Sequence, residues 1–138
     1  MKALTVSQPF AALIASGEKW VENRTWDTRH RGPLAIHAGK GSQYLSAAEL
    51  REYPTGCVVA TAQLVACVWI GDVRCGSLST RPVSPGATRT MRDLHDHDHT
   101  EGPWCWVLED IQPLDTPIKA TGSQGLWDWI TPEEGGAK

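Results

Sequence analysis

Lys19, Glu22 and Arg24 fall within one short stretch whose neighbours are Trp20, Val21, Asn23, Thr25 and Trp26. Charged side chains in such a setting need partners, because an isolated buried ion is costly. Either the three neutralise one another or they await a polar ligand. A Lys and an Arg offer charge and directed donors to a phosphate, and a Glu accepts from the edge of a base. Lys19 with Glu22 also resembles an amine–carboxylate pair for catalysis, provided burial disfavours the ammonium. His37, on the strand-like stretch Leu34–Ala38, is either a hydrogen-bonded structural residue or a ligand group.

Other clusters carry weaker signals. Arg29, His30 and Arg31 form a charged turn, read as a solvated loop or as the rim of a phosphate site. His95, His97 and His99 alternate with Asp96 and Asp98, which invites a metal. No strand pattern holds them, so the expectation is a solvated polar loop, no tightly held metal and no cofactor. Seven Trp against a single Phe serve as packing or, for two or three of them, as stacking surfaces for a flat ligand.

Positioning these groups falls to short elements. Lys2–Val6 is a first strand, Ser7 a helix cap, and Phe10, Leu13 and Ile14 form one apolar face ended by Gly17. The free N–H groups at that helix start, beside Gln8, suit a carbonyl or phosphate oxygen. Trp20–Trp26 alternates, with Trp20, Glu22, Arg24 and Trp26 on one face. Lys19 reaches Glu22 only from a position before that strand or across a bulge. Ser46 and Glu49 make a capping box for a helix stopped by Pro54. Cys57–Ile70 has wholly apolar even positions and includes Thr61 and Gln63 at odd ones, as one long strand or two, like a barrel wall. Residues 72–102 lose periodicity and read as a long surface excursion, either plain loop or a lid with a helical turn. Trp104–Gln112 and Pro117–Ala120 are two further strands, Gly122–Trp129 a loop, and 131–138 a polar tail.

The 138 residues fit one domain. Net charge is −3, but residues 1–40 hold six basic side chains against three acidic ones. A local basic face on an acidic protein suits a nucleotide or a short strand better than a long duplex. Cys57, Cys67, Cys75 and Cys105 are widely spaced with no Cys-x-x-Cys. With no secretory segment before the first strand, they point to free thiols in a reduced, cytoplasmic setting. No apolar run reaches the roughly 18 residues of a membrane span.

Gly17-x-Lys19-x-x-Glu22-x-Arg24 resembles the Gly-x-Lys-x-x-(Glu/Thr)-x-Arg signature of the ASCH family, a branch of the PUA-like superfamily. Ser7-Gln8-Pro9-Phe10-Ala11 is similar to that family's Gln-Pro-Trp-Ala opening, and Arg31–Ala38 to its Arg-Gly-x-(Leu/Ile)-x-Ile-His-Ala strand. Trp106-Val107-Leu108 and Gly125-Leu126-Trp127 match a recurring Trp-x-Leu…Gly-Leu-Trp pattern. The resemblance implies an α+β fold, a mainly antiparallel pseudobarrel with small flanking helices, over residues 1–130. It also implies a cleft for a base or nucleotide, with Gln8, Lys19, Glu22, Arg24, His37, Gln124 and Gly125 as its lining.

Two functions follow from the resemblance, and a third class stands beside them. One is a binding module for a nucleotide or short single strand, RNA rather than DNA, holding a base that carries a modification in some ligands. The other is a small hydrolase, an acylated-cytidine amidohydrolase or ribonuclease, in which Lys19 and Glu22 are catalytic. The amidohydrolase branch places Thr where Glu22 stands and a Glu where Gln63 is the nearest candidate. A scaffold without a small ligand would require Lys19, Glu22 and Arg24 to satisfy one another completely. Oligomeric state is not legible.

Overall fold

The computed structural model describes residues 1–75 and 78–135. Its elements are β1 (Lys2–Val6), α1 (Phe10–Ala15), β2 (Val21–Arg24), β3 (Gly32–Ala38), α2 (Glu49–Glu52), β4 (Cys57–Trp69), α3 (Ile70–Cys75), α4 (Met91–Asp96), β5 (Trp104–Lys119), β6 (Leu126–Asp128) and α5 (Pro132–Gly135). The strands are hydrogen-bonded in the order β2-β5-β4-β3-β1-β6. The sheet is mixed: β1 runs parallel to β3 and antiparallel to β6, and β2 is antiparallel to β5. This is an α+β fold.

The chain divides into two compact units. The first contains Met1–Glu18, Pro33–Ala62 and the stretch from Gln112 onward. Here β1 pairs with β3 through Ala3↔Ala35 and Thr5↔His37, and with β6 through Leu4↔Leu126. Ala3, Ala35, Val58 and Trp129 form a buried cluster under Leu114, Ile118 and Trp127. Helix α1 turns Ile14 fully inward and stops at Gly17, whose φ of 87° is the left-handed conformation that glycine adopts at least cost. Its N-terminal oxygen comes from Gln8 rather than Ser7, since Gln8 Oε1 accepts from the Ala12 N–H at 2.9 Å. The Ser46–Glu49 capping box forms as the spacing predicts, with bonds of 3.0 and 3.2 Å.

The second unit contains Lys19–Gly32 and Gln63–Ile111. The antiparallel register sets Glu22 opposite Trp106 and Arg24 opposite Trp104. Trp20, Val21, Ala66, Val68, Val73, Met91, Leu94, Cys105 and Val107 make its core. Three of these, Val73, Met91 and Leu94, come from the expected surface excursion. That segment contributes to α3 and builds α4, the latter capped by a reciprocal Thr90–Asp93 box, and closes a short bridge between Pro82 and Thr90.

Three further expectations change. Trp104–Lys119 is one strand of 16 residues, not two. Pro113 and Pro117 lie beyond the stretch that pairs with β2, where no N–H is required of them for that ladder. Leu126–Asp128 is a strand, not loop, because β1 offers it an edge. Part of the polar tail is ordered as α5, with Thr131 and Glu134 capping each other at 3.0 and 3.2 Å. The remainder, 136–138, lies outside the described residues.

Candidate functional site

Lys19 precedes β2, and this position lets its side chain run back along the strand. Its Nζ donates to the Val21 carbonyl and to Glu22 Oε1, the latter at 3.0 Å. The other carboxylate oxygen, Glu22 Oε2, accepts from Arg24 Nε at 2.9 Å and lies 2.7 Å from Arg24 Nη2. Each oxygen of one carboxylate therefore holds a different cation. The Lys19 and Glu22 side chains are 4% and 10% exposed, whereas that of Arg24 is 23% exposed. The trio holds two cations to one anion, and Arg24 is its most exposed member. Held between the Val21 carbonyl and the Glu22 carboxylate, Lys19 contributes a charge and hydrogen-bond donors to the cluster.

Trp20 is not on the Glu22–Arg24 face as alternation predicted, because it lies outside the strand and packs into the core. Two groups from a distant part of the chain close over it. His97 stacks on its ring at 4.3 Å, and the Arg89 guanidinium sits 4.3 Å from its centroid. The Trp20 N–H donates to His97 Nε2 at 3.4 Å, so that nitrogen must be unprotonated. Burial first, then the positive charges of His99, Lys19 and Arg89, hold the His97 pKa down at about 4. Arg89 is placed by Glu109, which accepts from Thr88 N–H, Thr88 Oγ1 and Arg89 N–H at 2.8–3.2 Å.

Asn23 locks the same segment from the opposite face of β2. Its Nδ2 donates to the His99 carbonyl at 2.8 Å, and its Oδ1 accepts from Glu101 and Gly102 at 2.9 and 2.8 Å. Within the His-Asp run, His95, Asp96 and Asp98 are exposed, as a solvated segment would be, whereas His97 and the His99 backbone are held by Trp20 and Asn23. An Asn inside a strand is a depleted residue type and was the available signal. Among the described residues no group of three or more His, Cys, Asp or Glu converges on a metal position. The cysteines are free thiols, and burial pushes the Cys105 thiol up to about 11.

The remaining expected residues lie in the first unit. Gln8 is fully buried with both amide ends engaged, Oε1 by Ala12 N–H and Nε2 on the Pro54 carbonyl at 2.8 Å. His37 is 2% exposed; its Nε2 meets the Ala120 carbonyl at 2.7 Å and its Nδ1 the Thr5 hydroxyl at 3.2 Å. A carbonyl only accepts, so Nε2 carries a proton. Gly122 makes this tie feasible, since a Cβ there would stand 2.6 Å from His37 Cε1 and 2.7 Å from Thr5 Oγ1. Gln124 and Gly125 are exposed, in the loop before β6.

The profile of the ASCH domain matches residues 4–78, more than half of the chain and the whole of the Lys19–Arg24 stretch. The chain belongs to the ASCH family. The fold of this ASCH domain is met again in solved structures. The ASCH protein of Zymomonas mobilis superposes with a TM-score of 0.56 at 20% identity, covering 98% of this chain and 90% of that one. A single-residue variant of it gives 0.55 at 24% identity, covering 98% and 93%. At this identity the likeness establishes the fold. Activating signal cointegrator 1 of Mus musculus and of Homo sapiens is 35% identical over 81 residues, covering 47% of this chain. The match spans only 14% of those proteins' length. Among the described residues no helix is long and apolar enough to cross a membrane.

Proposed function

We propose that this ASCH domain is a nucleotide-binding module that holds one nucleotide of an RNA strand against the Lys19–Glu22–Arg24 cluster. The observation that carries this reading is the buried Glu22 carboxylate binding Lys19 through one oxygen and Arg24 through the other, which fixes the partly exposed Arg24 guanidinium in place. A phosphate or an electron-rich base edge is the complement of such a cluster. Gln8 and His37, whose polar atoms are engaged internally, act in this reading by holding their own unit in shape. Gln124 and Gly125, exposed in the first unit, keep the role that the family resemblance implies and are tested separately. A base gripped by its edge is also sensitive to an added group, so a modified cytidine is expected to compete differently from cytidine itself.

The test is a side-by-side titration and product assay with cytidine monophosphate, acylated cytidine, and short RNA and DNA strands. Arg24→Ala is expected to weaken nucleotide binding by about 1.5–3 kcal/mol, the usual loss for a hydrogen bond to a charged group. Gln124→Ala in the same titration reads the contribution of that exposed amide. Lys19→Met, checked for folding, separates binding from catalysis: a module loses affinity alone, whereas an enzyme loses turnover by orders of magnitude. Robust Lys19-dependent turnover would replace this reading with a hydrolase. Absence of any nucleotide interaction would end it.

A further inference from the structure

On the Glu22–Arg24 face of the second unit, a pair of tryptophans stands partly open to solvent. Trp69, the last residue of β4, is 44% exposed. It meets Trp104, the first residue of β5, edge to face with centroids 5.3 Å apart. The Ile70 N–H bonds to the Pro103 carbonyl at 2.8 Å and fixes the two strand ends together. Trp69 is also seated against Gly71, where a Cβ would lie 2.9 Å from its Nε1 and 3.0 Å from its Cδ1. Its ring is therefore oriented before any ligand arrives, which is unusual for so exposed an aromatic side chain.

Guanidinium groups flank this pair. Arg24 is the direct cross-strand neighbour of Trp104, and opposed residues of an antiparallel pair project to the same face. Arg31 reaches back from its turn to Cys67 Sγ at 3.8 Å, and Cys67 is one same-face step, about 7 Å, from Trp69 along β4. The Nη1 of Arg31 also donates to the Thr28 and His30 carbonyls at 2.7 and 2.8 Å, which holds the side chain in place. Among the described residues its Nε and Nη2 meet no acceptor, and they suit the oxygens of a phosphate. Residues 19–32 carry four basic side chains against two acidic ones, Glu22 and Asp27, so the charge of the region fits a polyanion.

We propose that Trp69 and Trp104 form a second subsite, on which the base next to the bound nucleotide stacks while its phosphate meets Arg31. A fixed aromatic face beside directed cations is the combination that single strands require, and it tolerates any base because every base has a flat face. The subsite rests on the nucleotide reading above and adds to it the class of ligand: a single strand of at least two nucleotides rather than a free nucleotide.

The probes are cytidine monophosphate and a short oligocytidylate, titrated into the wild-type chain and into Trp69→Ala, Arg31→Ala, Gly71→Ala and Arg24→Ala. Trp69→Ala should lower affinity for the oligonucleotide roughly 5- to 150-fold, the range that loss of one stacked base represents, and leave the mononucleotide unchanged. Gly71→Ala, which displaces the ring without removing it, should give the same pattern more weakly. Arg31→Ala should act on the oligonucleotide only, and Arg24→Ala on both ligands. An unchanged oligonucleotide affinity in Trp69→Ala, with both ligands still weakened by Arg24→Ala, would overturn the second subsite and leave the nucleotide reading standing. Equal losses for both ligands in Trp69→Ala would also overturn it, by placing Trp69 in the first site. Failure of the wild type to bind either probe would overturn both.

Discussion

At the scale of single residues, Glu22 is the pivot, because it is the one anion between two cations. The two ends of this arrangement differ in a measurable way. Removing Glu22 leaves the Lys19 ammonium, on a side chain 4% exposed, without its counter-charge. Removing Lys19 leaves Glu22 still bound by Arg24 at 2.7 Å. Glu22→Ala is therefore expected to destabilise the fold by about 3–5 kcal/mol, the usual cost of breaking a buried pair, and Lys19→Met by clearly less. Urea unfolding of the two variants checks this; equal losses would mean that Lys19, not Glu22, organises the cluster.

At the scale of elements, β2 works as a two-sided clamp. One side carries Glu22 and Arg24, and the other holds the segment after α4 through Asn23. The same segment is fastened by His97, which stacks on Trp20 and accepts the Trp20 N–H only while Nε2 is unprotonated. Lys19, Arg89 and His99 oppose a charge there, and Asp98 favours it. The folded-state pKa of about 4 lies below the ordinary 6.5. Between these values the unfolded chain binds a proton that the folded chain refuses, so stability is full above 6.5 and declines as pH falls towards 4. The thermal midpoint should fall over this window, and His97→Phe, which keeps a stacked ring, should flatten the upper part of it. The window is separable from that of Glu49, Glu109 and Glu134, whose pKa values lie below the ordinary 4.5 and whose contribution fades at lower pH. A midpoint that is flat between 6.5 and 4.5 in the wild type would show that the His97 contact does not hold the segment.

At the scale of the molecule, charge sets how binding responds to salt. The net charge is −3 although residues 1–40 carry an excess of basic side chains. Only a local set of cations can displace counterions from a strand. With about one or two phosphates engaged, log affinity for single-stranded RNA should fall against log salt with a slope of about −0.7 to −1.4. Fluorescence titrations across a range of potassium chloride measure it. A much steeper slope would mean a longer polyanion track than Arg24 and Arg31 provide.

Some of this was legible from local sequence, because its causes are local. The capping box at Ser46 and Glu49, the stop at Gly17 and the apolar even positions of β4 depend on neighbours a few residues apart. So does the Lys19–Glu22–Arg24 cluster, whose mutual contacts lie within one turn and a short strand. Only tertiary structure decided the rest. Trp20 leaves its expected face because a distant His97 and Arg89 cover it, and β6 forms because β1 supplies an edge. Residues 72–102 lack periodicity yet place Val73, Met91 and Leu94 in a core, since burying three side chains takes partners in space rather than a repeat in sequence. Asn23 gains its role only once the chain brings Glu101 and Gly102 back to it, and a side-chain amide carries no mark of which distant backbone it will bind.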